Sequence, residues 1–155
     1  MICNRMLTFS LSLLLSLFTI SCSGGNPVMA PGINKAKLAA CPSSPNCVSS
    51  DAVESKYNIE PFRLAASPVE AWRTTQDLVA ALPRTKIVTA EDDYLHAECR
   101  SSLFGFVDDL ELHLRPEEGI IAVRSAARLG YSDFGVNRKR LERLRSELKQ
   151  RGIIE

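Results

Sequence analysis

The sequence predicts an α+β domain: an antiparallel sheet of about four strands with two helices packed on one face, preceded by a cleaved signal and a flexible tether. Three observations predict it. Two segments pair helix-start chemistry with apolar residues at helical spacing. Several others alternate apolar and polar side chains with a period of two. The order is strand, helix, a run of strands, helix, which suits helices laid on one side of an antiparallel sheet. At 155 residues, 45% hydrophobic and 24% charged, the chain has the size and apolar content of one ordinary core.

The chain opens with Arg5 followed by an apolar run from Met6 to Ile20. That run is about 15 residues, roughly 22 Å of helix, short for a bilayer span but suited to a secretory signal. It ends at Thr19-Ile20-Ser21-Cys22, which resembles the bacterial lipoprotein signal, with Thr19 where leucine is usual. Residues 1–21 read as signal peptide, and Cys22 as the acylated N-terminus of the mature chain. Ser23 follows in place of aspartate, which by the enterobacterial rule directs the protein to the outer membrane, facing the periplasm. Cleavage removes one of 19 basic residues, leaving a formally neutral mature chain with no overall pull toward nucleic acid or anionic lipid. Aromatics at 6% also argue against a stacking platform for single strands.

Residues 22–40 contain glycine and proline with no sustained period and read as a tether; residues 41–155 form the domain. The segment "CPSSPNCVSS" (41–50) places Cys41 and Cys47 among prolines and serines. A metal clip needs a second Cys or His pair that the chain does not supply at suitable spacing, and a redox pair is more often C-x-x-C. In an oxidising compartment the pair reads as a structural disulfide. Cys99 falls on the apolar side of an alternating segment and reads as a small buried hydrophobe.

Tyr57–Leu64 is a candidate edge strand, since Pro61 has no N–H for a ladder. Ser67-Pro68-Val69-Glu70 is a helix start, with Ser67 as N-cap, and the helix is expected to run to about Leu82 before Pro83. Ala71, Trp72, Leu78, Val79 and Leu82 form its buried stripe. Strands follow at 85–90, 94–101, 106–115 and 120–126. A four-residue loop at 116–119 pairs Arg115 with Ile120, Leu114 with Ile121, Leu112 with Val123 and Glu111 with Arg124; a one-residue slip reverses every face. A last helix, capped by Asp133 or Ser132 and ending near Arg151, carries Leu141, Leu144 and Leu148 as its seam.

Three constellations bear on function. The second sheet face carries His96, Glu98, Arg100, Asp109, Glu111, His113 and Arg124, suited to acid–base work or cation binding, or else a solvated face of cross-strand ion pairs. Asp108 and Asp109 are adjacent and fall on opposite faces. The loop 127–136 lies among Arg124, Arg128, Arg138 and Arg140 and leads into a helix N-terminus, where an anion is favoured. The alternative is that these arginines pair with Asp108, Asp109, Glu111 and Asp133 and lock the loop. The last helix has seven Lys/Arg against two Glu from Arg138 to Arg151, either a solvated face or a surface for acidic lipid heads. No catalytic or dinucleotide fingerprint is present, and no cofactor or metal is implied.

"CPSSPNCVSS", "YLHAECRSSLFGFVDDLEL" and "VRSAARLGYSDFGVNRKRLERLR" together resemble the bacterial domain of unknown function 1499 family, over about Cys41 to Leu148. The matching residues include Cys41, Pro42, Pro45, Asn46, Cys47, Ser101, Asp108, Asp109, Arg124, Ser125, Arg128, Gly130, Asp133, Gly135, Asn137 and Arg138. Ala127 stands where the family usually has serine. The resemblance implies a motif set without an activity. The reading is an envelope lipoprotein whose domain binds a partner protein or a small anionic or polar ligand. The candidate ligand-binding residues are Asp108, Asp109, Glu111, Arg124, Ser125, Arg128, Asp133, Asn137 and Arg138. The alternatives are a hydrolase-type enzyme on the polar sheet face and a purely structural assembly factor.

Overall fold

The computed structural model describes residues 30–102 and 104–155. The expected signal, Cys22 and residues 23–29 of the expected tether lie outside the described residues.

In chain order the elements are Ile33–Asn34 (β1), Lys37–Leu38 (β2), Cys47–Ser49 (β3), Phe62–Arg63 (β4), Pro68–Ala80 (α1), Thr85–Ala90 (β5), Tyr94–Arg100 (β6), Val107–Arg115 (β7), a 3-10 turn at Pro116–Glu118, Ile120–Ala127 (β8) and Val136–Gln150 (α2). β1 and β2 form a separate hairpin. The main sheet is antiparallel, in the order β3-β8-β7-β6-β5, and β4 pairs with β8 beyond the end of β3. Four long strands are thus edged by two short segments sharing one strand's rim.

Side-chain alternation sets the register. Arg115 pairs with Ile120, Leu114 with Ile121, Leu112 with Val123 and Glu111 with Arg124, as the pattern of apolar faces requires. Gly119 closes the turn at φ +65°, a left-handed conformation that suits glycine. One sheet face presents Leu95, Ala97, Leu110, Leu112, Ile121 and Val123 to both helices, which supply Trp72, Val79, Leu141, Leu144 and Leu148. Burying each large side chain of this set contributes roughly 1.5–3 kcal/mol.

Ser67 caps α1: its hydroxyl accepts from the Glu70 N–H at 3.3 Å, with Pro68 in the first turn. The helix ends at Ala80, two residues before the expected Leu82, and Leu82 packs against the core from the following turn. α2 begins later than a cap at Asp133 or Ser132 implies, because Gly135 takes a left-handed turn (φ +76°) and becomes the N-cap. Asp133 still serves the helix start, its carboxylate accepting from the Gly135 and Asn137 N–H groups at 3.0 and 2.9 Å.

Three local expectations need correction. The strand expected at 57–64 shrinks to β4, because pairing with β8 begins only past Pro61; Tyr57 instead turns its hydroxyl to the Ser43 carbonyl at 2.7 Å. A strand absent from the sequence pattern, β3, follows directly from the staple. Cys41 and Cys47 form a disulfide (S–S 2.05 Å), and Cys47 pairs with Ala126. Closing this seven-residue loop restrains the unfolded chain by about 2 kcal/mol. Within the expected tether, residues 33–38 form the β1–β2 hairpin, turned through left-handed Lys35 and Ala36, and Leu38 and Ala39 are buried. Two residues per strand are too few to show a period.

Candidate functional site

The second sheet face is polar and closed. A row crosses it through Ser49, Arg124, Glu111, His96 and Thr89 on successive strands. Glu111 is fully buried, and its Oε1 accepts from Arg124 Nη1 at 2.5 Å. Its Oε2 accepts from the Tyr94 hydroxyl at 2.8 Å and from the Gly32 N–H at 2.7 Å. Gly32 immediately precedes the β1–β2 hairpin, and Leu38 from that hairpin clusters with Tyr94 and Ala122, so this segment caps the face. Burial and the neighbouring Glu111 push the Tyr94 hydroxyl well above its ordinary range, keeping it a donor.

Two further ion-pair groups flank this centre. Asp109 accepts from His96 Nε2 at 2.7 Å and from the Arg128 guanidinium at 2.7–3.2 Å, and Arg128 also reaches Glu98 at 2.9 Å. Burial alone raises a carboxyl, but the His96 and Arg128 hydrogen bonds and charges outweigh it and hold Asp109 down to about 2. At the other end Arg115 makes a two-pronged contact with Asp51, which also accepts from the Leu38 N–H at 2.8 Å. Arg115 Nε donates to His113 Nδ1 at 3.2 Å. An arginine nitrogen always donates, so Nδ1 is unprotonated and His113 is neutral in this arrangement. Burial, with the adjacent Arg115 charge, lowers the His113 pKa below 6.5.

Asp108 points the other way, under α2. Arg140 donates to it at 2.6 Å and to Ser125 Oγ at 2.9 Å. Ser125 bonds Asn137 Oδ1 at 2.6 Å, and the Asn137 amide reaches the Asn46 carbonyl at 3.2 Å. Asn46 in turn donates to the Gly130 carbonyl at 2.6 Å. The staple loop, the end of β8 and the first turn of α2 are thereby tied into one buried knot.

The residues singled out from the sequence therefore separate into three places. Asp109, Glu111, Arg124 and Arg128 pair on the closed face. Asp108, Ser125, Asn137 and Asp133 organise the start of α2. Arg138 lies apart, donating to the Asn58 carbonyl at 2.8 Å. The pairing of Arg124 and Arg128 with Glu111 and Asp109 is the locking alternative of the sequence reading. His96, Glu111 and His113, the residues of the hydrolase alternative, are all buried.

Two of the clefts that lie elsewhere carry several basic side chains. A groove of about 640 Å³ along α2 and residues 58–63 has mixed charge, and its Arg138 and Arg145 donate to backbone carbonyls of residues 58, 60 and 61. A cleft of about 330 Å³ lies between the end of α1, the start of β5, the end of β6 and the first turns of α2. Arg84, Arg100, Lys139, Arg140 and Arg143 line it with Thr85, Cys99, Ser101 and Ser102, and no carboxylate does. Arg140 is compensated by Asp108 and Arg100 by Glu98 at 3.4 Å, whereas the side chains of Lys139 and Arg143 have no hydrogen-bond or ion-pair partner among the described residues. Arg84 holds a left-handed conformation (φ +55°), with its Nε donating to the Arg100 carbonyl at 3.3 Å. The Cys99 thiol is buried at the cleft wall and pushed up by burial, which suits a packing residue. Sequence reasoning named none of Arg84, Arg100, Lys139 and Arg143 as ligand residues. They come from three parts of the chain, the turn before β5, the end of β6 and α2, and only the runs of basic residues along α2 hinted at two of them.

The fold and site define a small α+β domain, stapled by a disulfide, with one sheet face closed over ion pairs and a basic cleft at its rim. The chain belongs to the family described as protein of unknown function (DUF1499), whose model matches residues 37–148. No curated protein and no solved structure shows a match.

His113 generates a pH dependence with a definite sign. Its folded pKa is depressed, so its contribution is complete above pH about 6.5 and is lost as pH falls through the lower folded value. Asp109 acts in a separate window, from about pH 4 down to about 2. Urea unfolding at pH about 7.5 and about 5 is expected to show lower stability at the acid value, and His113→Gln to remove most of that difference. An unchanged difference in the variant contradicts the assignment.

Proposed function

We propose that the protein is an exported lipoprotein, held on the periplasmic side of the bacterial outer membrane through Cys22, whose domain binds an anionic ligand in the basic cleft. The reading of export rests on the apolar run ending at Thr19-Ile20-Ser21-Cys22, and the Cys41–Cys47 disulfide supports an oxidising compartment. Cells fed a labelled fatty acid are expected to transfer label to the wild-type chain and not to Cys22→Ser. A labelled Cys22→Ser chain, or an unlabelled wild type, contradicts the anchor.

The observation that carries the binding reading is charge. Five cationic side chains converge on a cleft with no carboxylate in its lining, and two of them have no partner among the described residues. Arg100 and Arg140 have Glu98 and Asp108 as partners, but the cations outnumber these carboxylates, so their juxtaposition is unfavourable until an anion enters. Ser101 and Ser102 add hydroxyl groups suited to phosphate or carboxylate oxygens, and the Ser101 hydroxyl, which accepts from the Phe106 N–H, keeps its own proton to donate. The closed sheet face supports this placement by contrast, since its arginines already have carboxylate partners. An enzyme on that face needs substrate to reach His96, Glu111 and His113, which are buried.

Isothermal titration of the soluble Cys22→Ser form with pyrophosphate tests the cleft. Reversal of two exposed cations, in Lys139→Glu/Arg143→Glu, is expected to weaken binding by at least about tenfold, with the thermal midpoint little changed. Equal affinity in the double variant contradicts the site.

A further inference from the structure

We infer that the end of the sheet beside the basic cleft is a membrane-docking surface, on which aromatic loop tips enter the interface of an anionic bilayer while the cleft takes a lipid phosphate. The inference rests on the anionic-ligand reading of that cleft and names its source as a phospholipid headgroup.

Two loops carry the apolar element. They comprise residues 101–102 with 104–106, and residues 128–135, and they sit side by side because β7 and β8 pair through Asp108 and Ala127. The Arg128 N–H donates to the Val107 carbonyl at 3.1 Å, and the Ser101 and Phe106 backbones are joined at 2.9 Å. Phe104, Phe106, Leu129, Tyr131, Phe134 and Val136 are all exposed here, against four large apolar side chains scattered over the remaining described surface. Three of the four phenylalanines after residue 30 belong to this end. Phe134 is 88% exposed while its backbone takes φ +52°. A bulky residue in that conformation is disfavoured, and a ring in water gives the fold no packing in return. Ser132 and Asp133 hold the turn by accepting from the Phe134 and Gly135 N–H groups, while the ring itself is left for an apolar phase outside the domain.

Concentrated aromatic exposure of this kind marks an interaction surface. The shape argues for a bilayer: the rings project from loop tips instead of lining a groove, and Tyr131 combines an apolar body with a polar tip, as interfacial residues do. Charge agrees. Val136 belongs both to the apolar end and to the cleft wall, where Arg84, Arg100, Lys139 and Arg143 lie. Basic residues beside apolar tips match an anionic headgroup above acyl chains. Reach agrees as well. From Cys22 to Gly32, the first residue fixed on the sheet, the chain spans at most about 35 Å, so an acylated Cys22 keeps the domain at the bilayer surface.

The test uses the chain without residues 1–21 and with Cys22→Ser, so that the loops and cleft act without the apolar run or an acyl anchor. Phe134→Trp provides a reporter. On vesicles of phosphatidylcholine with about one third phosphatidylglycerol, its emission is expected to shift to the blue and the protein to sediment with the lipid. Pure phosphatidylcholine is expected to bind at least about tenfold more weakly. Phe104→Ser/Phe134→Ser abolishes sedimentation, and Lys139→Glu/Arg143→Glu removes the preference for anionic vesicles. Absence of sedimentation and of a shift on anionic vesicles overturns the inference, and if pyrophosphate still binds, the cleft reading stands alone. A shift produced by lipid-free envelope protein and not by vesicles also overturns it, pointing to a protein partner. If the loops insert equally into both vesicle types and pyrophosphate fails to bind, the cleft reading fails and the anionic docking site fails with it.

Discussion

Glu111 and Arg124, opposite one another on the two central strands, set the terms for one whole side of this domain. Both are fully buried, so each has lost its water and depends on the other. A desolvated ion is tolerated only when its partner and its remaining hydrogen bonds are supplied by the protein. Tyr94 and the Gly32 N–H both donate to the Glu111 oxygen that Arg124 does not reach. The Gly32 contact has a structural result: it draws the N-terminal segment onto the sheet and seats the β1–β2 hairpin there. Arg124 Nε is left without a hydrogen-bond partner, so the pair holds more by charge than by complete bonding. The flanking groups, Asp109 with His96 and Arg128, and Asp51 with Arg115, extend the same principle to both ends of the face.

The opposite orientations of Asp108 and Asp109 connect that face to the helices. One carboxylate gathers Arg128 and His96 on the closed side; the other gathers Arg140 and the Ser125–Asn137 pair beneath α2. The two loops at this end are therefore held from both sides of the sheet. Their tips stay outside the core even though several are aromatic. The basic cleft beside the tips is built from the same elements and shares Arg140 with the knot beneath α2.

Most of the scaffold was legible because its signals are local. Alternation over 94–100, 107–115 and 120–127 marks strands, and the loop at 116–119 leaves one register that keeps leucines and isoleucines on one side. Ser67 with Pro68 announces α1, and Leu141, Leu144 and Leu148 announce the seam of α2. The short edge pieces were not legible. β1–β4 have two or three residues each, and their pairing depends on what β8 and Glu111 offer across the fold. The ion-pair face could be listed from the sequence, but its closure could not, since the covering segment carries no period. The cleft was harder still: Arg84 and Arg100 meet Lys139 and Arg143 only once β5, β6 and α2 have packed.

The central claim is that the Glu111–Arg124 pair holds the polar face shut as a unit. A double-mutant cycle on chemical unfolding with Glu111→Leu, Arg124→Met and both together tests it most directly. Each single change strands one buried charge and is predicted to lower stability by about 3–5 kcal/mol, whereas the double change is predicted to recover most of that loss. Single losses under about 1 kcal/mol that simply add in the double variant would contradict it.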